Sequence, residues 1–269
     1  MSINKWSFCL AVTAFFALGA STASAAPVYP DEVVPEADFN WSFGQDDVHG
    51  TTDDEKDVWG EIDILGGATV VVDDTAPYSG TGSLYLESTG TTDKGGLAYY
   101  PAAGFGTLSS LTAASFDWMR VAASAAQPNA APVLRLFLSN GPYDGTNHEA
   151  TLVYLADVEG VTAPDGAWVT ADVTSATQLW QSRGAAPGGQ RYAAFSDFAD
   201  PADFGDLIVF AVEVGFGSGY DAGFIGAVDN VSVAGAGGSV DANFEVRGVT
   251  PPVTSTVSSV PANGIAGLV

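Results

Sequence analysis

Short apolar runs of alternating character recur along this chain and constrain its fold more than any other feature. The run GSLYLES sets Leu84 and Leu86 against Tyr85 and Glu87, and PVLRLFLSN, ATLVYLADV and DLIVFAVEVGFG are similar. A period of two, bounded by clusters of glycine, proline, asparagine and aspartate, is typical of β-strands. TSATQLWQS favours at most a short helical turn. Many short strands joined by glycine-rich turns predict an all-β, antiparallel β-sandwich or jelly roll in a single domain.

The two ends of the chain differ in composition from its middle. The start, MSINKWSFCLAVTAFFALGASTASAAP, combines a positive Lys5, a short apolar run and the small-residue site Ala23-Ser24-Ala25. This pattern predicts a secretory signal peptide, and hence an exported protein. The expected organisation is a signal peptide at 1–25, an acidic N-terminal segment with the first strand at 26–64, the sandwich at 65–247, and a Pro/Thr/Ser-rich stalk or partial sorting tail at 248–269.

Charge and cysteine content exclude several classes of function. The chain has 32 acidic and 8 basic residues and a formal net charge of −24. Nucleic acid is therefore not an expected partner, because phosphate binding needs a basic surface. The acidity favours either solubility in a saline habitat or the binding of divalent cations. The single cysteine, Cys9, lies inside the signal peptide, which argues against disulfides, a thiol nucleophile and cysteine-ligated zinc.

Three stretches of the chain resemble a known group of proteins. YSGTGSLYLES, GFGSGYDAGFIGAVDNVSV and SVDANFEV, in this order, are similar to exported β-sandwich proteins of Gram-negative bacteria that carry PEP-CTERM-type sorting tails. The end VPANGIAGLV resembles the start of a VPxPA-type tail, truncated or degenerate, since the apolar span and arginine cluster are missing. The resemblance implies a location at the cell surface or in the exopolysaccharide matrix, with sorting or anchoring machinery as a partner.

The same stretches resemble carbohydrate-binding jelly rolls. In those modules a late strand of the form Asp-Asn/Asp-Val often supplies a carboxylate to a structural calcium ion. The resemblance carries that role to Asp229 and, by its position before the first expected strand, to Asp38. The residues themselves leave another interpretation open. Asp229 and Asn230 also suit the end of a strand ladder or a bulge, with their side chains bonded to the local backbone.

Aromatic side chains in expected loops are the candidate carbohydrate-binding residues. Loop rings that are exposed to water suit stacking on the apolar face of a pyranose. Trp118 and Trp168 instead alternate within expected strands and are expected in the core. The candidates are Trp59, Tyr143, Trp180 and Tyr220.

No catalytic residue is assigned from the sequence. The two histidines, His49 and His148, have no GxSxG or HExxH motif around them, and the many acids identify no glycosidase pair. Glu87, Glu149 and Glu213 are interpreted as outward strand positions. The sequence thus favours a non-enzymatic, exported surface or matrix protein that associates with polysaccharide. The alternatives are an extracellular glycan-active enzyme of jelly-roll type and a structural surface protein without a specific ligand.

Overall fold

The computed structural model describes residues 25–35, 56–162, 165–184, 191–220 and 222–248. The expected signal peptide up to Ser24, the candidate ligand Asp38, His49 and the tail beyond Gly248 lie outside the described residues. No helix within the described ranges is long and apolar enough to cross a membrane.

Strands dominate the described part of the chain, and its α-helical content is one turn at Phe195–Phe198. Short 3-10 turns lie at Pro30–Glu32, Leu108–Ser110 and Val173–Ser175. The strands are β1 (Ala26–Val28), β2 (Trp59–Leu65), β3 (Thr69–Asp73), β4 (Ser83–Glu87), β5 (Lys94–Tyr99), β6 (Ala113–Arg120), β7 (Val133–Ser139), β8 (His148–Tyr154), β9 (Trp168–Asp172), β10 (Leu179–Arg183), β11 (Tyr192–Ala193), β12 (Ile208–Phe216), β13 (Ile225–Ala234) and β14 (Ser239–Phe244).

The strands form two sheets of seven. The front sheet has the order β11-β10-β8-β7-β12-β5-β2. The rear sheet is built around β13, whose two halves pair with β4 and β14 on one side and whose other side pairs with β6. Strand β3 extends the rear sheet beyond β4, β1 extends it beyond β14, and β9 extends it beyond β6. Neighbouring strands are antiparallel except β1 and β14, which are parallel.

The core lies between the sheets and follows the alternation seen in the sequence. Leu84 and Leu86 on β4 are buried in it, whereas Tyr85 and Glu87 lie on the outer face and are partly exposed. Burial of each leucine contributes about 1.5–3 kcal/mol to the free energy of folding. Large aromatic side chains, including Phe116, Trp118, Phe216 and Phe244, fill the centre. The all-β, antiparallel sandwich predicted from the period of two is confirmed.

Trp118 lies in the core as expected, but Trp168 does not. Trp168 is the first residue of β9, at the edge of the rear sheet, and its ring is partly exposed on the outer face. It packs over Met119 and Ala227 and against the ring of Tyr78, with a centroid distance of 4.7 Å. The alternation identified the strand correctly, but it does not specify which of its two faces is buried.

Candidate functional site

A cleft of ≈ 580 Å³ lies on the outer face of the front sheet. We call it the front cleft. It follows from strand alternation on β12: Val212 and Val214 point into the core, so Glu213 between them points outward into the cleft. Strands β2, β5, β7, β8 and β10 contribute the other walls. The front cleft is lined by Asp63, Lys94, Val133, Arg135, Phe137, His148, Thr151, Val153, Leu155, Asp157, Trp180, Ser182, Arg183, Glu213, Gly217, Ser218, Gly219 and Tyr220.

The floor of the front cleft carries an ion pair. Glu213 and Arg135 are directly opposite each other on β12 and β7, and Arg135 Nη1 donates to Glu213 Oε1. Glu213 is only 1% exposed. On the adjacent strand, a Cβ at Gly96 would lie 2.8 Å from Glu213 Oε1, so glycine leaves the room that this carboxyl group occupies.

Burial raises the pKa of Glu213 to about 7. The positive charge of Arg135 lowers this pKa and the negative charge of Asp63 raises it, but the loss of hydration remains the largest effect. Asp63 is itself paired with Lys94 at 2.9 Å. The Glu213 carboxyl group therefore gains or loses its proton near neutral pH, in direct contact with a guanidinium group.

Two of the four candidate aromatic residues, Trp180 and Tyr220, line the front cleft. The prediction that Trp180 lies in a loop is wrong: it is in β10 and pairs with Val153 and Tyr192. Its ring is partly exposed. Tyr220 follows Gly217–Gly219, and its hydroxyl donates to the carbonyl oxygen of Ala131. Burial raises the pKa of Tyr220, so the hydroxyl stays protonated.

The other two candidates lie outside the front cleft. Trp59 is not an exposed loop residue: it begins β2, is 4% exposed, and packs between the sheets against Tyr99 and Phe244. Little of its ring surface is left for a sugar to stack on. Tyr143 lies in the loop between β7 and β8 and stacks on Phe210, with centroids 4.1 Å apart and an interplanar angle of 4°. One face of the Tyr143 ring is thus covered by the protein.

His148 lies in the wall of the front cleft. Its Nε2 is 2.9 Å from Thr151 Oγ1 and 3.1 Å from the carbonyl oxygen of Ala150. Burial, together with the charge of Arg183, lowers the pKa of His148 to about 4. The imidazole is therefore neutral at physiological pH and adds no charge to the cleft.

Charged residues of the cleft were missed by the sequence reasoning, which treated Glu213 as an ordinary outward position. The available signal was the scarcity of basic residues: of the eight in the chain, Lys94, Arg135 and Arg183 all line the front cleft. Because basic residues are rare in this chain, their recurrence on separate strands indicates the location of a site better than the abundant acidic residues do.

A second group of polar side chains lies in the rear sheet. We call Ser79, Asp229, Asn230 and Asn243 the Asp229 cluster. The register of β13 with β6 shifts between Asp229 and Ser232, and Asn230 has a positive φ of 46°, so the pair forms a bulge. Asp229 Oδ1 accepts hydrogen bonds from the backbone N–H of Asn230 at 2.8 Å and of Phe244 at 2.9 Å. The bulge interpretation is confirmed.

Several oxygen atoms of the cluster converge on the hydroxyl of Ser79. Asn230 Oδ1 is 3.1 Å from Ser79 Oγ, and Asp229 Oδ2 and Asn243 Oδ1 are each 3.4 Å from it. A hydroxyl group has one proton, so it satisfies only one of these acceptors at a time. Asp229 is fully buried, and burial raises its pKa to about 6 even though three backbone N–H groups lower it. The charge of Glu245 also contributes to this raised pKa.

The donor chemistry of the Asp229 cluster suits a hard cation. Within the described ranges, no three His, Cys, Asp or Glu side chains form a group that could hold a metal ion. The convergent oxygens instead come from one carboxylate, two amides and one hydroxyl, and calcium accepts such oxygen ligands. Asp38, the second ligand expected from the resemblance, lies outside the described residues.

Comparison with known proteins gives likenesses at the level of structure. No family model matches the chain, and no curated protein matches its sequence. It is similar to the carbohydrate-binding module CtCBM11, with 23% identity, 71% of this chain and 93% of that one covered, and a TM-score of 0.37. A family 30 carbohydrate-binding module has 13% identity, coverages of 67% and 95%, and a TM-score of 0.36. An arabinose-bound α-L-arabinofuranosidase has 14% identity over 65% of this chain and a TM-score of 0.37, and this chain spans only 23% of its length.

Proposed function

We propose that this protein is an exported, non-enzymatic polysaccharide-binding protein of the bacterial surface or extracellular matrix. The observation that carries the proposal is the composition of the front cleft. The partly exposed ring of Trp180 and the side chain of Leu155 offer apolar surface, next to the ion pair of Arg135 and Glu213. Sugars have apolar ring faces and hydroxyl edges, and a cleft that combines rings with hydrogen-bonding groups suits both.

Export is proposed from the start of the sequence, where Lys5, an apolar run and Ala23-Ser24-Ala25 form a signal-peptide pattern. The tail VPANGIAGLV supports a role for sorting or anchoring machinery. N-terminal sequencing of the secreted protein should give a first residue at position 26 or 27. A secreted chain that begins at Met1 would refute this part of the proposal.

Glycan binding is tested by affinity electrophoresis and calorimetry with a panel of soluble polysaccharides. Trp180→Ala should weaken binding by about tenfold or more, since the loss of a stacked ring typically costs 1–3 kcal/mol. Trp168→Ala is the matched control, because Trp168 is also partly exposed but lies on the outer face of the rear sheet. Equal binding by wild type and Trp180→Ala would rule out the front cleft as the glycan site.

A glycan-active enzyme is the second candidate, and the position of Glu213 favours it. A buried carboxyl group with a raised pKa is what a general acid in glycoside hydrolysis requires. Release of reducing ends from a bound polysaccharide, abolished in Glu213→Gln, would establish this candidate. Binding without any product, after prolonged incubation at several pH values, would support the non-enzymatic function.

We also propose a structural calcium ion at the Asp229 cluster, held by Asp229, Asn230, Asn243 and Ser79, with Asp38 as a further ligand. The support is the convergence of side-chain oxygens around Ser79 Oγ and the burial of Asp229 without a paired cation among the described residues. A bound Ca²⁺ would neutralise Asp229 and Glu245 locally. It would also link the β3–β4 loop to β13 and β14, which carry these ligands.

A further inference from the structure

Basic residues are concentrated in the front cleft. The chain has eight lysines and arginines against 32 acids, yet Lys94, Arg135 and Arg183 are among the eighteen residues that line this one cleft. They come from three different strands, β5, β7 and β10, so their proximity is a product of the fold and not of a local basic segment. Three of the eight basic residues of this acidic protein thus line one cleft.

The local charge of the cleft differs from that of the whole molecule. The acids in its lining are Asp63, Asp157 and Glu213, equal in number to the basic residues, whereas the chain carries −24. At physiological ionic strength, charges beyond about 8 Å are largely screened. A ligand in the cleft therefore experiences the lining and not the acidic remainder of the surface.

Arg135 presents hydrogen-bond donors to the cleft. Its Nη1 binds Glu213, and the side chain is 18% exposed. Its Nη2 lies near Gly217, where an added Cβ would be 3.4 Å from it, so a side chain at this position would crowd the guanidinium. Because the buried Glu213 holds one edge of the group, the remaining donors are fixed in orientation. A planar guanidinium with fixed donors is well suited to bind a carboxylate.

Protonation of Glu213 changes the charge that Arg135 offers. The charged and titratable groups around Glu213 are Arg135 on β7, Lys94 on β5 and Asp63 on β2, and the last two are paired with each other. His148, on β8, stays neutral above about pH 4. When Glu213 takes up a proton, Arg135 therefore keeps its positive charge without an anionic partner, and the lining becomes net positive.

We infer that the glycan of the front cleft is acidic: a chain that contains uronic acid, whose carboxylate binds the guanidinium of Arg135. This inference rests on the proposed glycan-binding function and names its ligand class. Trp180 and Tyr220 supply the ring and hydroxyl contacts that any sugar chain would use, and Arg135, with Lys94 and Arg183 nearby, supplies the selection for a carboxylate. The acid-binding form is the one in which Glu213 is protonated.

The test compares each acidic oligosaccharide with its own methyl ester. Oligomers of galacturonic, glucuronic and mannuronic acid are titrated into the wild-type chain by calorimetry at pH 5.5 and pH 8, alongside the esterified forms and a neutral glucan oligomer. At least one acid should bind about tenfold or more tightly than its ester, because a charge-assisted hydrogen bond is lost on esterification. Its affinity should fall from pH 5.5 to pH 8, whereas that of the ester should not change.

Variants identify the residue that selects the carboxylate. Arg135→Met should remove the preference for acid over ester, and Glu213→Gln should keep the preference and lose its pH dependence. Arg247→Gln is the matched charge control, since Arg247 is an exposed arginine paired with Glu32 away from the cleft. Circular dichroism verifies that each variant is folded, and the acid–ester comparison on the wild type does not depend on any variant.

The outcomes separate this inference from the function on which it rests. If esters or the neutral oligomer bind as tightly as every acid, and Trp180→Ala abolishes that binding, the acidic ligand is wrong and the glycan site stands. If no oligosaccharide binds in a manner that depends on Trp180, both are overturned. A preference for acid that survives in Arg135→Met would also refute the assignment to Arg135.

Discussion

Two carboxyl groups, Glu213 in the front cleft and Asp229 in the rear sheet, are both buried but have different partners. Each lies in the middle of a long strand, β12 or β13, and they are 1% and 0% exposed. Burial raises the pKa of Glu213 to about 7 and that of Asp229 to about 6. Glu213 has a guanidinium group as its partner, whereas Asp229 has backbone N–H groups and the nearby carboxylate of Glu245.

The difference is one of access: the partner of Glu213 is partly open to the front cleft, whereas the partners of Asp229 lie within the protein. Arg135 reaches Glu213 from a neighbouring strand but remains partly open to the cleft, so the pair can respond to an incoming molecule. The Asp229 side chain contacts Ser79 in the β3–β4 loop and Phe244 in β14, so it joins three chain segments in the interior of the protein. Buried charge is costly in both places, and the two carboxyl groups have different kinds of partner.

Replacement of Arg135 should change the free energy of unfolding more than any other substitution proposed here. Arg135→Met leaves Glu213 buried without a cation, and the free energy of unfolding should fall by about 3–5 kcal/mol at pH 8. At pH 5 the loss should be much smaller, because Glu213 is then protonated. Urea denaturation at the two pH values measures both. The double variant Arg135→Met/Glu213→Gln should recover stability at pH 8, and a loss that is equal at both pH values would contradict this account of the pair.

Calcium should distinguish the two carboxyl groups from each other. At a hundredfold excess over its Kd, a Ca²⁺ ion at the Asp229 cluster should add about 2.7 kcal/mol to the free energy of unfolding, seen as a higher melting temperature in calorimetry. Asp229→Asn should lose this response and Glu213→Gln should retain it. If Mg²⁺ acts as strongly as Ca²⁺ and the Asp229→Asn variant responds like wild type, the ions only screen surface carboxylates.

The space for Glu213 depends on a single glycine. Gly96→Ala would bring a Cβ to 2.8 Å from Glu213 Oε1 and 2.6 Å from the carbonyl oxygen of Val214, and should cost about 1–3 kcal/mol. Gly219→Ala, where nothing lies within 4 Å, is the control and should change stability by less than about 0.5 kcal/mol. Thermal unfolding of both variants tests the comparison, and equal stabilities would show that the cleft floor tolerates the methyl group.

The most gradual expected effects are slopes of stability against pH, at most about 1.4 kcal/mol for each pH unit. A carboxyl group whose pKa is raised on folding binds its proton more tightly in the native state, so stability falls as pH rises between the unfolded and folded values. The window for Glu213 runs from 4.5 to about 7 and that for Asp229 from 3.8 to about 6. Glu213→Gln and Asp229→Asn should each flatten their own window in denaturation series, and an unchanged profile would refute the assignment.

Some of these features could be predicted from the sequence because they depend on neighbours along the chain. The alternation of Leu84 and Leu86 with polar residues defined strand β4 and its inner face. The bulge at Asp229 was also predictable, because its carboxyl group binds the N–H of the very next residue. Contacts of this kind involve residues that are adjacent in the sequence, so a short stretch is enough to predict them.

The front cleft could not be predicted in this way. Asp63, Arg135 and Glu213 are far apart in sequence and meet only through the order and register of strands in the front sheet. The sequence predicts loops at Trp59 and Trp180, yet both residues lie in strands. The direction of each ring, inward for Trp59 and outward for Trp180, is decided by the partner strands.

The parallel pairing of β1 with β14 has a mechanical consequence. Ala26 lies beside Ala242 and Val28 beside Phe244, so opposing forces on the N-terminal end of β1 and the C-terminal end of β14 pull the two strands past each other along their length. The hydrogen bonds between them are then loaded together in shear, whereas an antiparallel pair joined at one end would open one bond at a time. In single-molecule extension, the chain should unfold at a higher force than a version that begins at Pro30.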